Sequence, residues 1–142
     1  MAYFSLNTPG RLAQLNALVA QFANGPVTAT IYSGSIPPSA ASPLVDQVAL
    51  STHQMSDPAF LAVDEVSVTV SADIIARDAS AAASGTPSFA RFVDAGGQTI
   101  CDLDVGPTDS GAACEINTDT IEAGGEVAIT AVAFTVPLFS ST

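Results

Sequence analysis

From residue 27 onward, apolar residues recur at every second position in short runs, and this feature restricts the fold more than any other. The run "VTATIYS", residues 27–33, alternates apolar and polar side chains, and "VSVTVSA", residues 66–72, repeats the alternation. A period of two places successive side chains on opposite faces of a strand. The two runs therefore predict half-buried β-strands.

Further strands are predicted at residues 44–51, at "SFARFVD" and "QTICDLDV" on either side of residues 95–97, and at 126–137. The last run is apolar on both faces, so we expect it to be central in a sheet or covered on both sides. Proline, glycine and small residues predict loops at 34–43, 52–65 and 76–87. Within 52–65 we expect a turn at Asp57-Pro58 and Phe60 at the edge of the core.

Two hairpins are predicted in the second half of the chain. Ala95-Gly96-Gly97 joins the first pair of strands, because glycine adopts the positive φ that hairpin turns require. The second strand of this pair then carries different side chains on its two faces: Cys101, Leu103 and Val105 on one, Asp102 and Asp104 on the other. The segment "GPTDSGAACEIN" predicts the second hairpin.

The two cysteines of the chain, Cys101 and Cys114, lie on either side of that second turn. If Gly106 pairs with Asp109, the same register places Cys101 opposite Cys114, where a cross-strand disulfide can form. The alternative is two reduced thiols that pack as small apolar side chains, which is the usual state in the cytosol. The sequence favours the reduced thiols and leaves the disulfide open.

One helix is predicted before the strands, over residues 8–24. Thr8 is a suitable N-cap and Pro9 fits the first helical position. Leu12, Leu15, Leu18, Val19 and Phe22 then recur at steps of three and four, and Asn24-Gly25 is a typical stop. The apolar stripe is expected to face the body of the domain, with a partner protein as the alternative.

These elements predict one all-β domain over residues 1–142, a β-sandwich or jelly roll with an N-terminal helix. Residues 1–7 form an N-terminal arm, 8–24 the helix, 26–137 the sandwich and 138–142 a C-terminal tail in this interpretation.

The charge balance excludes several classes of partner. The chain has fourteen acidic residues and only three basic ones, Arg11, Arg77 and Arg91, so the formal net charge is -11. Nucleic acids and anionic membranes are bound through clusters of basic residues, so neither is an expected partner. No apolar run of transmembrane length and no signal-peptide pattern is visible, and we expect synthesis in the cytosol.

No set of residues predicts catalysis, a cofactor or a metal site. Asp94, Asp102 and Asp104 are the best candidates for a calcium site, but their spacing lacks the further ligands of a calcium loop, and a solvated strand face is the simpler interpretation. His53 is the only histidine and is expected in a polar loop. The sequence thus predicts a protein that is not an enzyme.

The order of these features resembles that of small head decoration, or capsid cement, proteins of tailed bacteriophages. The resemblance rests on the helix with "LNALVAQF", on "ATIYSGSIPPSAASP" and "SDPAF", on the hairpin "FARFVDAGGQTICDLDVG" and on the closing "INTDTIEAGGEVAITAVAFTVP". It covers residues 6–137. The pair Cys101 and Cys114 departs from the pattern of such proteins.

The resemblance implies a structural protein on the exterior of a capsid, made in the host cytoplasm, that bridges neighbouring major capsid protein subunits. It implies no catalytic residues, and a homo-oligomer, dimer or trimer, is expected. The uncharged arms "MAYFSLN" and "PLFSST" suggest partner contacts through Tyr3, Phe4, Leu138 and Phe139, unless these side chains fold back onto their own domain. A tail-associated structural protein or a receptor-binding module is the alternative.

Overall fold

A computed structural model describes residues 3–5, 7–73, 75–135 and 139–141. These residues form one helix, α1 (Thr8–Gln21), and nine strands: β1 (Tyr3–Ser5), β2 (Thr28–Ser33), β3 (Val48–Gln54), β4 (Thr69–Ser71), β5 (Phe89–Val93), β6 (Thr99–Pro107), β7 (Cys114–Ile116), β8 (Ile129–Thr135) and β9 (Phe139–Ser141). Seven strands make one mixed sheet in the order β3-β2-β5-β6-β7-β8-β4. The prediction of a β-rich fold with a single helix near the N-terminus is confirmed.

The N-cap of helix α1 lies one residue earlier than the sequence predicts. The N-cap is Asn7 rather than Thr8, because the Asn7 side chain accepts a hydrogen bond of 3.0 Å from the Gly10 N–H. The helix also ends at Gln21, short of the predicted residue 24. Its last turn tightens, since the Phe22 N–H donates to the Val19 carbonyl three residues back.

The apolar stripe of α1 faces the core, as its spacing predicts. Leu15 is fully buried and Phe22 is 3% exposed, while Leu12, Leu18 and Val19 are partly buried against the same cluster. The Phe22 ring lies edge-on to Phe60, with 4.6 Å between the ring centroids. Phe60 is itself buried, so its predicted place at the core is confirmed.

The hairpin between β5 and β6 forms at the predicted turn. The Asp94 N–H donates to the Gln98 carbonyl, and Gly97 has a φ of 87°, a value that glycine adopts without strain. The register then pairs Arg91 with Asp102 and Phe92 with Cys101.

The second predicted hairpin is wrong, because β6 and β7 run parallel. Val105 pairs with Cys114 and Pro107 with Ile116, so the chain leaves the end of β6 and returns to begin β7 beside residue 105. The predicted register of Cys101 opposite Cys114 is therefore absent, and both cysteines are free in the structure.

The strand predicted over residues 66–72 is only three residues long. The Asp64 carboxylate accepts hydrogen bonds from the N–H groups of Val66 and Ser67, which turns the chain at residues 65–68 before β4 begins. Val66 is consequently 94% exposed, although the alternation placed it with buried Val68 and Val70.

Strand β3 lies later in the chain than predicted. It covers Val48–Gln54 instead of 44–51, so the first residues of the predicted 52–65 loop belong to a strand. The shift follows from long-range hydrogen bonds: the Ala76 N–H donates to the Gln54 carbonyl and the Ala82 N–H to the Leu50 carbonyl. The segment after β4 thus binds the edge of β3, and the two ends of the sheet approach each other.

Strand β8 is an interior strand, between β7 and β4. It covers Ile129–Thr135 of the predicted 126–137, with Val132 buried and Thr130 and Ala131 exposed. Thr130 and Ala131 are consecutive and point to opposite faces of the strand, so β8 is central in the sheet but is not covered on both faces at this point.

Candidate functional site

The three carboxylates singled out by the sequence have three separate structural roles. Asp94 belongs to the β5–β6 turn, where its Oδ1 accepts hydrogen bonds from the N–H groups of Gln98 at 2.9 Å and Gly96 at 3.0 Å. The hydrogen bond from Gln98 is the largest cause that lowers the pKa of Asp94 below its usual value. This carboxylate stabilises a turn.

Asp102 forms an ion pair inside the protein instead of facing solvent. Its two oxygens accept from the Nε and Nη2 of Arg91, both at 2.8 Å, and the side chains of Arg91 and Asp102 are 8% and 10% exposed. The interpretation of Asp102 as part of a solvated strand face is wrong, because the hairpin register sets a cation directly opposite it. A bidentate pair of this kind fixes geometry as well as charge.

The same arginine holds the proline-rich loop. The Arg91 Nη1 donates to the Ser42 carbonyl at 2.9 Å, and its Nη2 lies 3.5 Å from the Ser39 carbonyl. Its donors are thereby directed to Asp102 and to two backbone carbonyls of residues 34–43. A surface cavity of about 600 Å³ lies beside this contact and is lined by Arg91, Gln98, Thr99 and residues 40–43. The cation at its wall is already neutralised.

Asp104 is exposed, as predicted, and stabilises the connection between β6 and β7. Its Oδ1 accepts from the Ala113 N–H at 3.0 Å, and Glu115 accepts from the Gly111 N–H at 2.9 Å. These bonds fix the second half of the short loop between β6 and β7, next to the parallel pairing of Val105 with Cys114. Among the residues that the structure describes, no three histidine, cysteine or acidic side chains form a group suited to a metal ion.

His53 lies in the core and not in a polar loop. It is 1% exposed on β3, its Nε2 is 2.9 Å from the Ser51 Oγ, and its Nδ1 is 2.9 Å from the Ala76 carbonyl. Since the Ala76 carbonyl only accepts, Nδ1 carries the proton and Nε2 accepts from Ser51. Burial lowers the pKa of His53 from 6.5, against smaller opposing effects of the Ala76 hydrogen bond and the Asp78 charge.

A hydroxyl next to an imidazole is the arrangement of an activated nucleophile, but this one is closed to substrate. Ser51 and His53 are each 1% exposed. The imidazole instead links β3 to residue 76, in the segment that binds the edge of this strand. A structural role accounts for both side chains.

The cysteines lie in apolar surroundings. Cys114 is fully buried and Cys101 is half-buried. Burial is the main cause that raises the pKa of each thiol to about 12, with a further contribution from the Asp102 charge at Cys101 and from the Asp104 and Glu115 charges at Cys114. Both thiols are therefore protonated at neutral pH, and the thiolate is the reactive form.

The predicted contact residues of the arms fall on the terminal strands. Strands β1 and β9 pair with each other as a separate two-stranded antiparallel sheet, with Tyr3 opposite Ser141 and Phe4 opposite Ser140. Phe139 pairs with Ser5 in the same ribbon. Leu138 lies outside the described residues.

Arg91 is the structurally decisive residue that the sequence analysis missed. The signal was present, because "FARFV" places one cation in an otherwise apolar strand, and a buried charge requires a partner. The hairpin turn at residues 94–98 sets the register that identifies Asp102 as that partner.

Within the described part of the chain, no helix has the length and apolar character needed to span a bilayer. Comparisons with protein-family models, with curated proteins and with solved structures give no match.

Proposed function

We propose that this protein is a structural virion protein that decorates the exterior of a tailed-phage capsid and cements it by bridging major capsid protein subunits. The observation that carries the proposal is the terminal ribbon of β1 and β9, which forms a two-stranded sheet separate from the seven-stranded one. A two-stranded ribbon is only marginally stable alone in water, and its outer edges carry backbone groups that a partner strand can pair with.

The chemistry of the interior supports the same proposal. Asp102 and Arg91 neutralise each other, Ser51 and His53 are inaccessible, and both thiols are protonated. Each of these groups stabilises the fold. A rigid body with contact elements at its termini suits a protein that acts by binding to a lattice, and the order of sequence motifs over residues 6–137 favours the capsid of a tailed phage.

We further propose that the seven-stranded sheet folds over as a sandwich or jelly roll. The hydrogen bonds from Ala76 and Ala82 to β3, and from Asp78 and Gly85 to the segment before β8, support it, because they bring opposite ends of the sheet into one layer system. A single domain follows from this arrangement.

Heat-induced release of DNA from heads tests the cementing role. DNA-filled heads that lack the decoration protein are heated with and without the purified chain. The fluorescence of a DNA-binding dye reports the DNA that is released. Cementing raises the release temperature until the added protein saturates its sites. An unchanged release temperature, with the protein bound only where the tail attaches, would instead indicate a tail-associated protein.

A further inference from the structure

Asn24 joins the end of helix α1 to the β5–β6 hairpin. Its side-chain Nδ2 donates to the Asp94 Oδ2 at 3.2 Å, and its backbone carbonyl accepts from the Ala95 N–H at 2.9 Å. Asn24 itself is exposed to solvent. The contact between the helix and the hairpin therefore includes an amide side chain that water can reach.

The residue that follows Asn24 is Gly25, and its N–H donates to no acceptor among the described residues. In an Asn-Gly pair the glycine nitrogen can attack the side-chain carbon of the asparagine, because these atoms belong to one chain segment and close a five-membered ring. Glycine has no Cβ that would obstruct the approach. The exposed amide of Asn24 thus lies next to a backbone nitrogen that is not held in a hydrogen bond.

The other three asparagines of the chain lack this combination. Each precedes a residue with a side chain: Asn7-Thr8, Asn16-Ala17 and Asn117-Thr118. The side-chain oxygens of Asn7 and Asn117 also accept hydrogen bonds from backbone N–H groups, at 3.0 Å and 3.1 Å. Asn16 lies within α1, where the N–H of the next residue belongs to the hydrogen-bond ladder of the helix.

We infer that Asn24 is a site of spontaneous deamidation. The Gly25 nitrogen attacks the Cγ of Asn24, so the N–Cγ bond forms and the Cγ–Nδ2 bond breaks. The amide nitrogen leaves as ammonia with the proton that Gly25 loses. Water then opens the succinimide ring at either carbonyl, which leaves aspartate or isoaspartate at position 24. The inference does not depend on the capsid role.

Deamidation weakens the link between the helix and the hairpin. In the aspartate product a carboxylate replaces the donor that lies 3.2 Å from the Asp94 oxygen, so repulsion between like charges replaces a hydrogen bond. In the isoaspartate product the peptide link runs through Cγ, and the carbonyl that accepts from Ala95 no longer belongs to a peptide group. Both products also add a negative charge to a chain of net charge -11. The aged protein is therefore less stable than the newly made one.

Peptide mapping of the full folded chain by mass spectrometry, after incubation in mildly alkaline buffer, tests the inference. In the wild-type protein the peptide that contains residue 24 gains the mass difference between an amide and a carboxyl group. An enzyme that methylates isoaspartate labels the same peptide. Gly25→Ala loses most of the conversion, because its methyl group obstructs the attack. This variant is expected to fold, since a Cβ at Gly25 would lie 3.5 Å from the Phe22 carbonyl oxygen, an ordinary contact.

The other asparagines are internal controls and keep their amides over the same incubation. A wild-type chain that stays unmodified at Asn24 overturns the inference, and so does equal conversion in Gly25→Ala. Conversion in urea but not in the folded protein overturns it too, because that result shows that the bonds to Asp94 and Ala95 protect the amide.

Urea denaturation of two charge variants tests the structural consequence. Asn24→Asp lowers the denaturation midpoint, because it places a carboxylate beside Asp94. Asn16→Asp is the matched control, since it adds the same charge at an exposed position within α1. Equal midpoints of the two variants overturn the proposed loss of the link.

Discussion

Arg91 and Asp102 lie directly opposite each other on β5 and β6, and two hydrogen bonds of 2.8 Å join their side chains inside the protein. The pair ties three segments together, because Arg91 also donates to the Ser42 carbonyl of the proline-rich loop. A cation that appeared isolated in an apolar strand is thus the central link between the hairpin and the loop beside it.

Removal of either member of this pair is expected to destabilise the fold strongly. Arg91→Ala and Asp102→Ala each leave a buried charge without a partner, which costs about 3 to 5 kcal/mol. Urea denaturation measures the free energy of unfolding. Arg77→Ala is the control, because the Arg77–Glu126 pair is 68% and 53% exposed and its loss costs less than about 1 kcal/mol. Equal losses at Arg91 and Arg77 would refute the structural role of the pair.

The stability of the protein is expected to fall as the pH drops below about 6.5. Burial lowers the pKa of His53 in the folded state, whereas the unfolded chain has the ordinary value of 6.5. The unfolded state therefore binds a proton that the folded state does not, and acid favours unfolding.

The slope of the free energy of unfolding against pH tests whether His53 is the titrating group. The free energy of unfolding, measured in urea between about pH 6.5 and pH 5, falls by up to about 1.4 kcal/mol per pH unit for one proton. His53→Gln removes the titrating group, so its curve is flatter in this interval. A wild-type curve that is level there, or a variant curve of equal slope, contradicts the assignment.

The cysteines are expected to be unreactive in the folded protein. Both thiols have a pKa of about 12, mainly because of burial, so little thiolate is present at neutral pH. A colourimetric thiol reagent should label Cys101 slowly, Cys114 more slowly still, and both rapidly in denaturant. Mass spectrometry under non-reducing conditions supplies the check, since a mass lower by two hydrogens would reveal a disulfide.

The helix cap distinguishes two neighbouring residues. Asn7→Ala removes the acceptor for the Gly10 N–H and is expected to lower the free energy of unfolding by about 1 kcal/mol. Thr8→Ala is the matched control and should leave the stability nearly unchanged, because Thr8 lies within the helix. Urea denaturation compares the two, and a larger loss at Thr8 would restore the sequence-based assignment.

The parts of the fold predicted well are those set by local pattern. Helix α1, strand β2 and the β5–β6 hairpin follow from spacing, caps and turn glycines close in the chain. The direction of β7 does not follow from local pattern, because the same turn-forming residues are compatible with a hairpin and with a short parallel connection. Carboxylate contacts from Asp104 and Glu115 accompany the parallel form.

The local sequence pattern also did not predict which polar side chains are buried. His53 is in the core because residue 76, far along the chain, binds the edge of β3, and the Ala76 carbonyl accepts a hydrogen bond from the His53 Nδ1–H. Asp102 is paired because the hairpin register brings it to Arg91. The sequence pattern identified the strand of Asp102 but left His53 in a predicted loop, and in both cases a long-range contact decided that the side chain is buried.

Counting the copies bound to a head tests the proposed role most directly. Purified protein is mixed with undecorated heads of its own virus, the heads are sedimented, and the attached protein is quantified against the major capsid protein. We predict saturation at a ratio fixed by the symmetry of the capsid lattice. No attachment, or a few copies at a single vertex, would contradict the account.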